Sequence, residues 1–225
     1  MIVSVEGNIG SGKSSLLHNL KSHYQANSRI IFVDEPIEEW NTIRDKENNT
    51  ILQCFYRDPK EYAFSFQILT LTTRLIQLKN HIEKYPEHII ISERSILSDA
   101  LFAELMYKEG KITPIEYQIY CKQYEYFLTM MPDIHVVYLR CEPDECKKRI
   151  HKRARKGEEE ISVQYLRDLH ETHEKWIKKW KKEHVLIFDA NVDLLDTMKW
   201  FYCLDNFLDD NNVLLPLLKE QQQLS

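Results

Sequence analysis

The sequence predicts an α/β fold in which a five-stranded parallel sheet carries helices on both faces. Short runs of β-branched and apolar residues recur along the 225 residues, and longer helical patterns separate them. These runs are continuous rather than alternating, which is typical of strands buried on both faces of a parallel sheet. A strand, a glycine loop and a helix open the chain, as in a doubly wound fold. No internal repeat and no linker rich in Pro, Gly or Ser interrupts the pattern, so we expect one domain over residues 1–225.

The predicted elements follow one another in regular alternation. Strands are expected at residues 2–5, 29–33, 88–91, 134–139 and 185–188. Helices are expected at residues 14–24, 59–84, 162–182 and 193–208, with two more starting at Thr113-Pro114 and at Cys141-Glu142-Pro143. Proline suits the first turn of a helix, where its missing N–H is not needed. The tail at 217–225 is expected to fray.

Composition excludes several classes of protein. The net charge is −5 and the only long basic block lies at residues 147–156, so general binding to nucleic acid or to a membrane surface is disfavoured. No apolar run approaches the ~20 residues that span a bilayer. The five cysteines form no CxxC pair, which favours reduced thiols over a zinc site or disulfides. The first strand begins at Ile2 and leaves no room for a leader, so we expect a cytoplasmic protein.

Three of the five glycines lie within the first twelve residues. Residues 7–14 fit the phosphate-loop pattern G-x-x-x-x-G-K-[ST], in which backbone N–H groups and a helix N-terminus face phosphate oxygens. A glycine turn that merely precedes a lysine is the alternative, but the flanking strand and helix favour a nucleoside triphosphate site. Lys13 would neutralise the outer phosphates and Ser14 would ligate Mg²⁺. The residues expected to cradle the triphosphate are Gly7, Asn8, Ile9, Gly10, Ser11, Gly12, Lys13, Ser14 and Ser15.

Carboxylates follow two of the predicted strands. Glu35 comes directly after the second strand, in Asp34-Glu35-Pro36, and could accept the proton of a hydroxyl that is being phosphorylated. A solvated or helix-capping acid is the alternative reading of Glu35. Glu93 and Arg94 follow the third strand, where Glu93 could hold Mg²⁺ and Arg94 could stabilise a moving phosphoryl group. A surface ion pair would be the simpler reading of these two residues.

The basic block after the fourth predicted strand indicates a lid over about residues 149–160. Arg149, Arg153 and Lys156 are spaced by four and three residues, so they are expected to share one helix face. A solvated helix face is the usual reading of such a run. Because a triphosphate site is already predicted, we favour arginines that close over phosphates, whose oxygens match the planar guanidinium.

Six motifs in this chain occur together in one order. They resemble those of the deoxyribonucleoside kinases, the family of deoxycytidine, deoxyguanosine and mitochondrial thymidine kinases, over essentially the whole chain. The resemblance implies a P-loop kinase fold with an Arg-rich lid, and transfer of the ATP γ-phosphate, with Mg²⁺, to the 5′-hydroxyl of a deoxyribonucleoside. It also implies a homodimer that a deoxynucleoside triphosphate inhibits. The motifs are GNIGSGKSS, VDEPIEEW, LQCFYRDPKEYAFSFQ, ERSILSD, RIHKRARKGEE and QYLRDLHETHEKW.

The resemblance also implies roles for individual residues. Glu35 matches the base for the 5′-hydroxyl, and Tyr56 and Glu158 match the pair that binds the sugar 3′-hydroxyl. Gln67 matches the residue that reads the base edge. The remaining catalytic and metal positions are Lys13, Ser14, Glu93 and Arg94; the walls of the nucleoside site are Trp40, Leu52, Phe55 and Phe66; and the ATP site adds Arg149, Arg153, Arg155 and the Val192-Asp193-Leu194 loop.

Base preference is the finest expectation that the resemblance supports. Members that accept cytosine or purines carry an Arg–Asp pair beside the glutamine, and this chain has Arg74 and Asp99 there. A carboxylate can accept a hydrogen bond from an exocyclic amino group, which thymine lacks. We therefore expect deoxycytidine or purine deoxynucleosides to be favoured over thymidine. Two positions depart from the family pattern: Thr70 stands where deoxycytidine enzymes carry alanine, and Ala103 replaces a phenylalanine that stacks on the base, with Phe102 expected to point elsewhere.

Three other functions remain as alternatives. A nucleoside monophosphate kinase of the thymidylate kinase type would share the fold, the phosphate loop and the lid, but would need cations for the phosphate of its acceptor. A nucleotide-dependent switch or ATPase would need no base-sized pocket around Gln67. A catalytically silent homologue would not need the full set of acids and bases that the sequence retains.

Overall fold

The computed structural model describes residues 1–191 and 197–210. Its centre is a parallel sheet with the strand order β2-β3-β1-β4-β5. The strands are β1 (Ile2–Gly7), β2 (Ile30–Val33), β3 (Ile89–Glu93), β4 (Ile134–Arg140) and β5 (Val185–Asp189). The sheet confirms the predicted five-stranded α/β fold, and each strand overlaps the run from which it was predicted.

Helices fill the connections between the strands. They are α1 (Lys13–His23), α2 (Ile37–Trp40), α3 (Ile51–Arg57), α4 (Pro59–Lys84), α5 (Ile96–Lys108), α6 (Pro114–Leu128), α7 (Pro143–Arg153), α8 (Val163–Ile177) and α9 (Thr197–Asp210), with 3₁₀ turns at Glu158–Glu160 and Lys182–His184. The predictions for α1 and α4 hold closely, and α6 and α7 begin where the sequence indicated. The first residues of the predicted 193–208 helix and the tail at 217–225 lie outside the described residues.

Apolar packing covers both faces of the sheet. Successive residues of a strand point to opposite faces. Val5 therefore packs on one face with Leu17 of α1 and Leu204 of α9. Ile2 packs on the opposite face with Leu78 of α4. The sheet is a rigid, two-sided support for the loops at its carboxyl edge.

Two predicted helices end earlier than the sequence pattern indicated. The expected helix at 162–182 stops at Ile177. The lysine-rich segment that follows places like charges three and four residues apart, which disfavours another helical turn. Helix α7 stops at Arg153, because Ala154 adopts a left-handed backbone with φ 52°. Lys156 is therefore not on the helix, and the prediction that it shares a face with Arg149 and Arg153 is wrong.

The carboxyl edge of the sheet gathers the predicted chemistry. β1 leads into the glycine loop, and β3 beside it ends at Glu93. β2 pairs with β3 and leads into Glu35. In open parallel sheets ligands bind at this edge. Among the described residues no helix combines the length and the apolar character that a bilayer crossing requires.

Candidate active site

The glycine loop adopts a backbone that only glycine accepts readily. Gly10 and Gly12 have φ values of 79° and 102°. A Cβ atom on Gly10 would lie 2.5 Å from the carbonyl oxygen of Cys146, so the loop and helix α7 also approach too closely for a side chain. The loop is anchored by Asn8, whose Nδ2 donates to the carbonyl of Leu166 at 2.8 Å. Such a turn directs N–H groups toward one point, as phosphate binding requires.

Lys13 is buried at the mouth of this loop. Its Nζ donates to the carbonyl of Asn8 at 2.8 Å. Burial, and then the charge of Arg94, lowers the pKa of Lys13 to about 7. A lysine with this pKa lacks a full counter-charge, and a triphosphate would supply one.

One cavity of about 830 Å³ opens beyond the loop and receives most of the predicted site residues. It extends from the glycine loop to the aromatic residues of α3 and α4. Gly7, Asn8 and Ser11 lie behind its surface and shape the loop. The predicted residues that line it are Ile9, Gly10, Gly12, Lys13, Ser14, Ser15, Glu35, Trp40, Leu52, Phe55, Tyr56, Phe66, Gln67, Arg74, Glu93, Arg94, Asp99, Arg149, Arg153, Arg155 and Glu158.

Ser14 and Glu93 form the pair expected to bind Mg²⁺. Ser14 Oγ donates to Glu93 Oε1 at 2.8 Å. Burial and the nearby charge of Glu35 raise the pKa of Glu93. No cluster of three or more acidic, His or Cys side chains suited to a metal occurs within residues 1–191 and 197–210. Two oxygen ligands fit Mg²⁺, which usually takes one or two protein ligands and completes its shell with phosphates and water.

Glu35 lies among cations at the centre of the cavity. Arg74 Nη2 donates to its Oε1 at 3.1 Å, and Arg94 Nε lies 3.5 Å from the same oxygen. Burial alone would raise the pKa of Glu35, but Arg74, Arg94 and Lys13 outweigh it and hold that pKa below its ordinary value. Glu35 is therefore an ionised hydrogen-bond acceptor at neutral pH.

Arg74 connects the two carboxylates of the site. Its Nε donates to Asp99 Oδ2 at 2.9 Å, and its Nη1 donates to the backbone carbonyl of Glu93 at 3.0 Å. Burial raises the pKa of Asp99, and the charge of Arg74 opposes that rise. The predicted Arg–Asp pair thus exists as a buried ion pair between α4 and α5.

An aromatic slot occupies the far end of the cavity. Phe55 and Phe66 stack with ring centroids 4.8 Å apart, and Trp40 meets Phe66 edge-on at 5.5 Å. Trp40 Nε1 donates to Thr73 Oγ1 at 2.9 Å, which fixes the indole. The carboxamide of Gln67 lines the slot and makes no hydrogen bond to the described part of the chain. It can therefore offer one donor and one acceptor to a ligand.

The lid arginines converge on one acid of the 3₁₀ turn. Glu158 Oε2 accepts two hydrogen bonds from Arg153, at 3.1 and 2.6 Å, and Oε1 accepts one from Arg155 at 3.2 Å. Burial, and then the charge of Glu158, raises the pKa of Tyr56. Arg149 lies apart from this group and donates to the carbonyls of Ser11 and Ala190, at 3.2 and 2.8 Å. Tyr56 and Glu158 therefore lie close together in the cavity, and their role at the sugar 3′-hydroxyl stays a prediction.

Comparison with known proteins agrees with this geometry. The deoxynucleoside kinase family matches residues 3–202. The chain belongs to the deoxynucleoside kinase family. It is 33% identical to a probable deoxycytidine kinase of fowlpox virus, over 93% of this chain and 82% of that protein. It is also 33% identical to the mitochondrial deoxyguanosine kinase of Xenopus laevis, over 79% and 73% of the two chains, and 30% identical to human mitochondrial thymidine kinase 2, over 79% and 64%.

One prediction about this deoxynucleoside kinase family member is wrong. Phe102 does not point away from the site but lines the cavity. Its ring lies 4.7 Å from the guanidinium carbon of Arg94, in a cation–π contact. Ala103 is fully buried and packs in the core with Leu71 and Tyr120. The aromatic side chain that the family pattern places at residue 103 therefore sits one position earlier here, against Arg94.

Sequence reasoning also missed several residues of this site. Tyr165 of α8 lines the cavity, and its buried hydroxyl has no hydrogen-bond partner among the described residues. Tyr165 lies in the motif QYLRDLHETHEKW, but its place in an amphipathic helix did not mark it as a site residue. Asn191 lines the cavity just before the predicted adenine loop, Val192-Asp193-Leu194, which lies outside the described residues. Thr70, noted above as a departure from the family pattern, lines the cavity as well. The other unpredicted lining residues are Glu145, Lys148 and Lys152.

Proposed function

We propose that this protein is a deoxyribonucleoside 5′-kinase that uses ATP and Mg²⁺. The observation that carries the proposal is the cavity of about 830 Å³, which joins a phosphate loop, an ionised carboxylate among cations and an aromatic slot with Gln67. A nucleotide-dependent switch or an ATPase has no second substrate, so it does not require an aromatic slot for a base. A monophosphate kinase needs free cations for its acceptor's phosphate, whereas Arg74 is already paired with Asp99 and Glu35.

The residues divide the reaction between them. Glu35 accepts the proton of the 5′-hydroxyl and orients its oxygen toward the γ-phosphorus. Lys13, Arg94 and the lid arginines Arg153 and Arg155 stabilise negative charge on the transferring group. Mg²⁺, held by Ser14 and Glu93, would neutralise phosphate charge when bound. The apolar walls of the aromatic slot keep water away from the bound base.

The second part of the proposal concerns the base. The carboxyl group of Asp99 and the carboxamide of Gln67 both face the cavity, and together they suit a base with an exocyclic amino group. Deoxycytidine and purine deoxynucleosides are therefore proposed as better substrates than thymidine. Relatives named as deoxycytidine and deoxyguanosine kinases support this choice, although a thymidine kinase is similar as well.

The family supplies the remaining parts of the proposal. A homodimer and feedback inhibition by a deoxynucleoside triphosphate are part of the proposal, and the resemblance of the sequence motifs to those of the family supports them. A cytoplasmic location is proposed because the five cysteines, Cys54, Cys121, Cys141, Cys146 and Cys203, are all free thiols.

The test is ADP release from ATP·Mg²⁺ with single acceptors. Deoxycytidine, deoxyadenosine, deoxyguanosine, thymidine, cytidine and dTMP are supplied separately. Turnover with an amino-bearing deoxynucleoside, and little with thymidine or cytidine, is expected. Turnover with dTMP alone would identify a monophosphate kinase, and equal turnover without acceptor would identify an ATPase.

A matched pair of variants tests the role of Glu35. Glu35→Gln should lower kcat by about 10²–10⁴-fold while nucleoside binding changes much less, because the carboxamide accepts a hydrogen bond but not a proton. Glu38→Gln changes an exposed acid in α2, the helix that follows Glu35, and should leave kcat unchanged. Equal losses in kcat and binding for Glu35→Gln would assign Glu35 to substrate positioning instead.

A further inference from the structure

The turn after β3 holds an uncommon backbone. Arg94 has φ 64°, one of three non-glycine residues with positive φ among the described residues. For a residue with a Cβ this conformation is strained and persists only where the surroundings fix it. Arg94 is also buried, and its guanidinium faces Glu35. Contacts with neighbouring residues must therefore stabilise the backbone of the turn at Arg94.

Strand β1 holds the turn at two successive residues. The Arg94 backbone N–H donates to the carbonyl of Val5 at 3.0 Å. The next N–H, from Ser95, donates to the side chain of Glu6, at 2.9 Å from Oε1, and Ser95 Oγ donates to the same oxygen at 2.8 Å. Glu6 is fully buried and does not line the cavity. It fixes the backbone directly after Arg94.

Glu6 also stands directly before the phosphate loop. Gly7, the first residue of that loop, follows it in β1. We infer that Glu6 is a positioning residue that fixes Arg94 relative to the phosphate loop. This inference rests on the proposed function, in which Arg94 and Lys13 act on one phosphoryl group. A displacement of about 1 Å between such groups costs a large factor in rate, because in-line transfer depends on their alignment.

The hydrogen bonds show how Glu6 acts. Ser95 N, Ser95 Oγ and Ser4 Oγ all donate to Oε1. Oε2 is buried without a partner in the described part of the chain. One acceptor oxygen therefore carries the contact, and the charge of the carboxylate is not required for it. Glutamine keeps that oxygen, whereas methionine keeps the shape of the side chain without an acceptor.

Two variants of Glu6 test the inference in the full-length protein. Glu6→Met should lower kcat by about 10–100-fold and change the nucleoside KM by less than about threefold, because Arg94 moves while the aromatic slot stays. Glu6→Gln should keep kcat within about threefold of the unmodified protein. Loss of kcat and rise of KM by equal factors, or full kcat in Glu6→Met, would overturn the inference.

A pair of serine variants separates positioning from stability. Ser95→Ala and Ser4→Ala each remove one buried hydroxyl that donates to Glu6 Oε1, but only Ser95 belongs to the turn. Ser95→Ala should lower kcat by about 5–20-fold, and Ser4→Ala should stay within about twofold. Equal effects on kcat would mean that Glu6 acts through general stability. Because Ser95 Oγ also accepts from the Leu97 N–H at the start of α5, kcat is compared at a temperature at which both variants are fully folded. Under that condition the pair decides the question even where Glu6→Met fails to fold.

NMR spectroscopy tests the position of Arg94 without a measurement of enzyme turnover. The NMR signal of Arg94 Nε–H, assigned with Arg94→Lys, should shift in Ser95→Ala and stay in place in Ser4→Ala. An unchanged signal in Ser95→Ala would contradict the inference. Failure of the proposed function has a different signature, since the unmodified protein would then phosphorylate no deoxynucleoside.

Discussion

Lys13 is poised to gain a proton when the triphosphate binds. Burial, and then Arg94, lowers its pKa to about 7, so a substantial fraction of Lys13 is neutral in the free protein above that pH. A bound triphosphate adds negative charge beside Nζ and raises the pKa again. The lysine that neutralises the phosphates therefore acquires its charge together with them.

We expect ATP binding at about pH 8 to take up a proton from solution. Calorimetric titration in buffers of different ionisation enthalpy measures this uptake directly. It should fade below about pH 6, where Lys13 is already charged in the free protein, once the ionisation of ATP itself is subtracted. A deoxynucleoside alone carries no phosphate and should show no such uptake at pH 8. Proton release, or none at pH 8, would contradict the lowered pKa of Lys13.

Among individual residues, the sequence allowed prediction of those that belong to a short motif or follow a predicted strand directly. The spacing of Gly7 to Ser14 and the strand-end positions of Glu35 and Glu93 are of this kind. Phe102 and Glu6 could not be assigned in this way. The contact of Glu6 with the Arg94 turn joins distant segments, which the parallel pairing of β1 with β3 brings together. Phe102 contacts Arg94 from α5, and its direction depends on how that helix leaves the turn.

The pairing of α4 with α5 determines the chemistry at the base end of the cavity. Arg74 on α4 binds Asp99 on α5, Glu35 after β2 and the carbonyl of Glu93. Arg74 therefore serves both the proposed base-reading acid and the proposed catalytic base. Replacing Arg74 alone would leave Asp99 buried without its partner, at a cost of about 3–5 kcal/mol.

The double variant Arg74→Met with Asp99→Ala should admit thymidine. It removes the acid that suits an exocyclic amino group, and it leaves no unpaired charge at Asp99. Turnover should fall with all acceptors, because Glu35 loses one of its cations, while the ratio of kcat/KM for thymidine to that for deoxycytidine should rise by about tenfold or more. Arg74→Met alone should lose stability without that rise. An unchanged ranking of acceptors in the double variant would show that the pair does not select the base.

Element boundaries were predicted where capping chemistry marks them. Asp58 and Pro59 begin α4, and Thr113 forms a capping box before α6. The end of α7 had no such signal, because Ala154 is an ordinary helix former that the tertiary structure places in a left-handed turn. That turn brings Arg153 and Arg155 together on Glu158, which spacing along a continuous helix did not indicate.

Positive and negative charges are distributed unevenly between the cavity and the rest of the molecule. The chain carries a net charge of −5, yet eight cationic and five acidic side chains line the cavity. Lys148 and Lys152 stand at its mouth on α7, and both are exposed. A local positive field in a concave site raises the concentration of anions near it, even on an acidic protein. This field should attract the triphosphate to the cavity and should have little effect on the uncharged nucleoside.

We therefore expect salt to affect the two substrates differently. Raising NaCl from about 50 to 500 mM should lower kcat/KM for ATP by about 3–10-fold, because the shorter Debye length screens the exposed cations at the cavity mouth. The value for the deoxynucleoside, measured at saturating ATP, should change by less than about twofold. Lys152→Gln should flatten the salt dependence for ATP, whereas Lys122→Gln, an exposed lysine on α6 away from the cavity, should leave it unchanged. Equal salt effects on both substrates would mean that ionic strength acts on the fold, and that the cavity's charge does not guide the triphosphate.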